Sequence, residues 1–432
     1  MNPAIAAAWP RCKLLALQCA ALLLPALSLL VPTGYSWGAA MLAVLGLIAL
    51  PGAVRHRTPW PVDLKRWAIA VAAMGAAWAM HTVDGGQIIW NSLGLDRTIK
   101  YSLAVLAAVA LLGGLPATWP LRWGCWLGAC GAGLIAMWQW YYLGMARAEG
   151  HTNAIQFGNI ALLLAFWSWV WVRRMVATRL EQSVGWLAVM AGSFGSLASG
   201  SRGGWIVAPL LVLLVLYLDR PRHAAASHIA RRTLKALALG VLVCVALAFV
   251  PPVQDRLVAG VLDVKAWRSS GEADSSIGQR LAHWKLAWGM ALERPVLGWG
   301  QQTYQARKQE AVTRHEAPPV VAYFNHAHNE WMDMFVKRGV LGVLGLCLFF
   351  AIPLNVYWRH LKQSAGARDS VQHVAALCGV LTVVGYLGFG MTQVMFAHNN
   401  GNMMYLFMNL LWVAALASPA VSHAQPQAAR SA

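Results

Sequence analysis

Twelve apolar stretches run through this chain, and one interval between them is far longer than the rest. The stretches fall near residues 14–31, 36–54, 67–82, 98–115, 121–143, 152–172, 184–199, 203–218, 234–251, 339–358, 371–390 and 400–418. A membrane-crossing helix needs roughly 20 mostly apolar residues. In lipid every backbone N–H and C=O must be paired internally, so such segments are helices or closed barrels. Barrel strands alternate apolar and polar residues; these runs do not. The expected fold is therefore an all-α polytopic membrane protein with about 12 transmembrane helices. It divides into helices over 1–251, a large outer loop over 252–338, further helices over 339–418, and a disordered tail over 419–432. The first stretch reads as a retained span rather than a cleaved leader, because it lacks a clear small-x-small site.

Composition supports this class. The chain is 58% hydrophobic and 12% charged, where a soluble domain carries about 25% charged residues. The net charge of +18 does not imply a nucleic-acid partner. The basic residues are scattered among short inter-helix segments and form no stripe. Their distribution instead sets an orientation. With the N-terminus inside, inner segments hold Arg11, Lys13, Arg55, Arg57, Lys65, Arg66, Arg122 and Arg173, and the basic residues around Arg220–Lys235, Arg359 and Arg368. Short outer segments hold only Arg97, Lys100, Arg147 and Arg202. Positive charge concentrates on the cytoplasmic side. Both termini are thus expected inside, with 252–338 outside. None of the cysteines lies in that loop, so no disulfide framework is expected there.

Within the loop, Asp274-Ser275-Ser276 reads as a helix start, followed by Ile277, Leu281, Trp284, Trp288, Ala291 and Leu292 on one helical face. Arg280 lies at the edge of that face, so it is expected to point toward the protein body. Pro295, Gly298 and Gly300 end the helix. A second helix is expected from His328 or Asn329, continuing into the next span.

The polar residues are few, so each is informative. Arg202, flanked by Ser201 and Gly203, sits at a membrane boundary, where a charge is costly and usually functional. Its planar fork matches phosphate oxygens; the competing reading is a snorkelling side chain at a helix end. Arg280 either serves an anion at a helix start or pairs with Glu272 or Asp274. His326 and His328 compete for one role, a general base near neutral pH; alternatively they bind a metal or cap the helix. No third ligand is well placed for a metal, so none is expected, and no cofactor is. Arg147, Lys100, His398 and Asn329 could line a cavity for substrate or sit at the interface.

The order of motifs is specific. Ser201-Arg202-Gly203 opens a span. A large loop follows with Arg280, Trp284 and Pro295-Val296-Leu297-Gly298-Trp299-Gly300. Then come His328-Asn329, nine residues, Gly339, two residues, and Gly342. This pattern resembles the O-antigen ligase and polymerase superfamily, membrane glycosyltransferases of the GT-C type. The resemblance implies a bacterial inner-membrane enzyme with a periplasmic active site. It would move a polysaccharide from an undecaprenyl diphosphate donor to the lipid A core, among membrane lipids. It implies His328, Arg280 and Arg202 as catalytic residues, with His326, Asn329, Arg147, Lys100 and His398 toward substrate. Polymerase and protein O-oligosaccharyltransferase readings share the motifs. A transporter would show inverted repeats and midplane charges; the sequence suggests neither.

Overall fold

The structure is a computed structural model that describes residues 3–84, 86–90, 94–219, 234, 251–271 and 273–418. The expected span 234–251, the tail after 418, Cys244 and Glu272 lie essentially outside the described residues.

The described chain is helical, apart from a two-residue pairing of β1 (Val83–Asp84) with β2 (Gln87–Ile88). Among the described residues eight helices precede the long loop: α1 (Pro3–Leu27), α2 (Tyr35–Arg55), α3 (Val62–Ala79), α4 (Leu95–Ala110), α5 (Trp119–Met137), α6 (Ala154–Arg174), α7 (Arg179–Ala198) and α8 (Arg202–Leu218). The loop contributes α9 (Pro251–Ser270), α10 (Ser276–Glu293), α11 (Gln301–Thr313) and the single turn α12 (Val320–Tyr323). Three helices close the chain: α13 (Glu330–Gln363), α14 (Val371–Gly390) and α15 (Asn399–Leu416). Among the described helices, four segments are long and apolar enough to cross a membrane: Tyr35–Arg55, Ala154–Arg174, Glu330–Gly366 and Val371–Gly390.

Side chains decide which helices are central. In α15 every residue from Asn400 to Leu416 is buried, and α6 and α14 are buried around most of their circumference. A helix apolar on all sides belongs inside a bundle. Polar groups there find partners: Tyr357 OH donates to Asn409 Oδ1 at 2.9 Å, Trp412 Nε1 to Thr382 Oγ1 at 3.2 Å, and Tyr101 OH to Asn402 Oδ1 at 2.9 Å. Outer helices such as α2 expose Val44, Leu47 and Ile48.

The long helices give the bundle two chemically different ends. Where α6 finishes and α14 begins, Arg173 and Arg174 pair with Asp219, and Arg174 also reaches Asp369. At the other ends of those helices lie Asn153, the turn 391–398 and the whole 276–338 segment. Arg173 and Arg174 at the end of α6 are therefore separated by the length of that helix from Asn153 at its start.

Two local expectations are refined. The helix expected from Asp274 starts at Ser276, with Ser275 Oγ accepting from Gly278 N at 3.1 Å. Its buried face is Gly278, Ala282, His283, Ala287, Met290 and Ala291, whereas Trp288 and Leu292 are exposed. Periodicity found the helix but set its inward face one position off, because large apolar groups on the outer face were counted as core. The helix expected from Asn329 does run on into the next span. It bends at Gly339, whose φ of 61° and ψ of −161° interrupt an otherwise continuous α13.

Candidate active site

The segment Phe324–Asn329 forms a turn that neighbouring side chains fix by its backbone. Ala327 N donates to Asp333 Oδ1 at 2.9 Å, and Ala327 O accepts from Trp284 Nε1 at 2.9 Å. Asn325 O accepts from Lys337 Nζ at 2.7 Å and from Gln301 Nε2 at 3.2 Å, while Phe324 O accepts from Lys308 Nζ. Lys337 is itself paired with Asp333 at 2.7 Å. Asn329 caps α13, accepting from Trp331 N and Met332 N, and its Nδ2 donates to Met391 O at 3.0 Å. Its amide is thus occupied in holding the turn to the 391–398 segment.

This scaffold puts His328 at φ 52°, a left-handed conformation that non-glycine residues rarely adopt. The strain turns its ring into a cluster of imidazoles. The His326 ring centroid lies 4.3 Å away, Phe324 4.7 Å and His283 5.4 Å. His398 stands 5.6 Å beyond His326. Burial lowers the proton affinity of all four histidines, bringing His283 to about 3 and His328 and His398 to about 4. For His328, Arg280 and Lys308 lower it further, while the Gln393 hydrogen bond and Asp333 raise it. A neutral imidazole has one bare nitrogen lone pair. His328 Nδ1 lies 3.2 Å from Gln393 Oε1, and its buried Nε2 has no hydrogen-bond partner among the described residues.

The two arginines converge from different elements. Arg202 is the first residue of α8, after a turn in which Ser201 N donates to Ser199 Oγ and Ser201 Oγ donates to Asn159 Oδ1 at 3.1 Å. Gly203 is required there, since a Cβ would lie 2.4 Å from Thr392 Oγ1. The Arg202 turn therefore packs on the segment that carries Gln393. Arg280 is half-buried in the first turns of α10, with Nη1 donating to Ser276 O and Oγ at 3.2 and 3.1 Å. Burial lowers its proton affinity first, then the charge of Arg202; Asp263 of α9 opposes them. A Cβ on Gly260 of α9 would lie 3.3 Å from Arg202 Nη1, so α9 runs close over this arginine.

The remaining expected residues ring this centre. Arg147 Nε donates to Ser199 O at 2.7 Å and so braces the Arg202 turn. Lys100 Nζ donates to Asp96 at 2.6 Å and to Asn399 Oδ1 at 2.8 Å, beside His398. His326 is buried against His328 and His398. Among the described residues no group of His, Cys, Asp and Glu is arranged to hold a metal ion. Arg280 does not pair with Asp274 in any ion pair seen here, and Glu272 lies outside the described residues.

Three participants escaped the sequence reading: His283, Lys308 and Gln393. His283 lies three positions after Arg280, on the same helical side, so spacing could have found it. Gln393 sits just past an apolar span, 65 positions from His328, and nothing local ties the two together. Arg338 stacks on Trp78 at 3.8 Å, with Arg97 over the same ring at 5.2 Å. The chain thus does bury charged groups within its helices.

Residues 187–347 match the family model described as O-antigen ligase. Over that stretch the chain resembles the O-antigen ligase/polymerase superfamily. The matched stretch contains the Ser-Arg-Gly turn, Arg280, the Pro295–Gly300 run, the His328 turn and Gly342. It is also 24% identical over 286 residues to an uncharacterized protein of Haemophilus influenzae, covering 65% of this chain and 69% of that one. Members of the superfamily are glycosyltransferase-like enzymes that act on lipid-linked polysaccharides. Four described helices long and apolar enough to cross a membrane, together with this likeness, indicate a membrane protein.

Proposed function

We propose that this protein is an O-antigen ligase. It transfers a polysaccharide from undecaprenyl diphosphate to the lipid A core oligosaccharide on the periplasmic side of the inner membrane. One observation carries the reading: Arg202 of α8 and the start of α10 meet at the same point of α9, where a Cβ on Gly260 would lie 3.3 Å from Arg202 Nη1 and 3.7 Å from Ile277 Cδ1, and the charge of Arg202 lowers the proton affinity of Arg280 as that of Arg280 lowers the proton affinity of His328. Two guanidiniums brought near one another from separate helices concentrate positive charge where an anion can be held. A lipid diphosphate is such an anion, and the guanidinium fork suits its oxygens.

The chemistry follows from that geometry. His328 Nε2 accepts the proton of an acceptor hydroxyl. The freed oxygen attacks the anomeric carbon of the donor sugar, forming the new glycosidic C–O bond. The bond from that carbon to the diphosphate breaks, and undecaprenyl diphosphate leaves with the electron pair. Negative charge grows on the leaving group, where Arg202 and Arg280 stabilise it without a metal. The proton leaves His328 to solvent or to the released diphosphate. Binding of the anion also offsets the positive charges that depress His328, so the base strengthens when the donor is seated. His326, His398, Lys100, Arg147 and Asn329 shape and support the surrounding site.

The topology that goes with this function has about twelve spans, both termini cytoplasmic and the site outside. Residues 1–251 and 339–418 would form the membrane helices, 252–338 the periplasmic loop and 419–432 a cytoplasmic tail. A polymerase would use the same groups but would extend the polymer on its carrier. Purified protein supplied with lipid-diphosphate donor and lipid A-core separates the two. A slow-migrating glycolipid containing both supports the ligase. Elongation on the carrier with lipid A-core ignored makes the protein a polymerase.

A further inference from the structure

His328 can present a lone pair at Nε2 in only one of its two neutral tautomers, and a buried amide at its other nitrogen decides between them. Its Nδ1 faces Gln393 Oε1 at 3.2 Å. The other end of the same amide, Nε2, faces His398 Nε2 at 3.5 Å. His398 Nδ1 in turn lies 3.4 Å from Asn153 Nδ2. Asn153 cannot turn over, because its Oδ1 caps α6 by accepting from Ile155 N and Gln156 N at 3.1 and 2.9 Å. Gln393 is buried, with 3% of its surface exposed.

The chain of contacts leaves the amide two settings. With Oε1 toward His328, the imidazole keeps its proton on Nδ1 and Nε2 carries the lone pair. With the amide reversed, its NH2 donates to His328 Nδ1, the proton moves to Nε2, and the ring presents a donor where a base is needed. A neutral His398 has only one proton and cannot accept at both nitrogens. When it accepts from Asn153 it carries its proton on Nε2 and favours the reversed amide. When its proton is on Nδ1, it gives up that contact and favours the other setting. Imidazole tautomers are set in this way by the partner of the second nitrogen.

We propose that Gln393 is a positioning residue that decides which ring nitrogen of His328 carries the proton, with His398 and Asn153 biasing its amide. The proposal rests on the reading of His328 as the base. It extends the site into the 391–398 turn, beyond the stretch matched by the family model. The setting with Oε1 on Nδ1–H also stabilises the imidazolium formed after proton transfer, as a neutral counterpart of the carboxylate in a catalytic triad. Other charged or titratable groups around His328 are Arg280 and His283 of α10, Lys308 of α11, His326 of the turn, Asp333 of α13, and His398 before α15. None of them has a hydrogen bond to its Nδ1 among the described residues.

The test uses the full-length protein in lipid nanodiscs with undecaprenyl diphosphate-linked polysaccharide and lipid A-core. Three variants are compared with the parent: Gln393→Leu, Gln393→Glu and His328→Gln. Gln393→Leu should lower kcat by about 10–100-fold, with the KM for donor unchanged. Gln393→Glu can only accept from Nδ1–H, so it should retain far more of the rate. Its added negative charge should also move the acidic limb of the pH profile upward by about 1–3 units. Parental kcat in Gln393→Leu overturns the proposal. So does an equal loss in both Gln393 variants with the acidic limb unmoved, which would mean that Gln393 only packs. Should Gln393→Leu fail to fold, the pH profile of Gln393→Glu decides alone. A fully active His328→Gln overturns the base assignment, and the Gln393 proposal with it. An inactive His328→Gln beside an unaffected Gln393→Leu removes Gln393 only.

Discussion

Gly339 and Val296 meet backbone against backbone: a Cβ on Gly339 would lie 2.1 Å from Val296 O. Around this contact the Pro295–Gly300 run clips onto α13. Trp299 N donates to Val336 O and Gly300 N to Lys337 O, both at 2.9 Å, and Val340 N returns a bond to Pro295 O at 2.8 Å. Gly298 makes the reciprocal approach, with a Cβ there 2.4 Å from Lys337 C. Two motifs some forty positions apart are therefore two halves of one clasp. It fixes the end of α10, and with it Arg280, relative to the His328 turn at the start of α13.

Gly339→Ala should consequently destabilise the protein. Its φ of 61° with ψ of −161° belongs to a region open essentially to glycine, where strain costs about 1–3 kcal/mol before any clash. Thermal unfolding in detergent should shift downward, and transfer should fall with the fraction of folded protein. Unchanged unfolding would show that the clasp opens without cost.

Arg280→Ala and Arg202→Ala should each abolish most transfer while leaving expression intact, and Arg→Lys at either position should restore little. The two guanidiniums would present parallel N–H pairs to diphosphate oxygens, which an ammonium cannot reproduce. Steady-state rates of purified variants check this. Full turnover in Arg280→Lys would mean that charge alone suffices.

Transfer should not require a divalent ion, because the arginines already supply positive charge where the leaving group develops its negative charge. The rate of purified protein should survive excess chelator. Loss of activity restored by Mg²⁺ or Mn²⁺ would falsify this and direct attention to Glu272 and Asp274.

Much of the architecture was legible because lipid imposes long apolar runs and bundle helices leave them. The α10 start and the continuation of α13 into an apolar helix were readable from local spacing. What escaped was non-local. Gln393 reaches His328 only because the α14–α15 turn folds under the loop, and a single glutamine after an apolar run carries no signal of that. The glycines at 298 and 339 were visible as motif members, but their purpose is a contact between them. The inward face of α10 was misjudged because Trp288 and Leu292 are large and apolar yet lie outside, which in a membrane protein need not mean core.

The imidazole cluster gives stability a defined pH dependence. Burial lowers the proton affinity of His283, His326, His328 and His398 in the folded state, with His328 and His398 near 4 and His283 near 3. In the unfolded chain they titrate near 6.5. Between those values the unfolded state binds more protons, so stability is complete above about pH 6.5 and declines as pH falls toward the folded values. Thermal unfolding followed from pH 7.5 to 5 should show this decline, and His283→Phe should flatten it. A midpoint independent of pH over that range would mean that the rings are solvated.

The exposed face of the loop makes a last prediction about where the site sits. Trp288, Leu292, Val296 and Leu297 are 51%, 58%, 59% and 55% exposed, an apolar group too large to leave bare in water. They continue directly into Val340, Leu341, Leu344 and Leu348, which are exposed on the membrane-spanning half of α13. Leu297 O also accepts from or faces His81 Nε2 at 2.8 Å, just past the end of α3. Residues 295–297 thus stand level with the end of α3 and the start of the apolar part of α13, and their side chains should enter the lipid. A nitroxide on Leu292→Cys or Val296→Cys in nanodiscs should be relaxed by dissolved oxygen more than by a water-soluble nickel complex, and one on Gln309→Cys the reverse. Nickel dominating at all three positions would lift the loop off the bilayer. Strong dipolar coupling between labels of two copies would mean that a second copy, not lipid, covers this face. With lipid there, α10 is anchored at its C-terminal end while Arg280 and His283 occupy its first turns, so the bilayer itself sets the height at which lipid-borne donor and acceptor meet the arginines and His328.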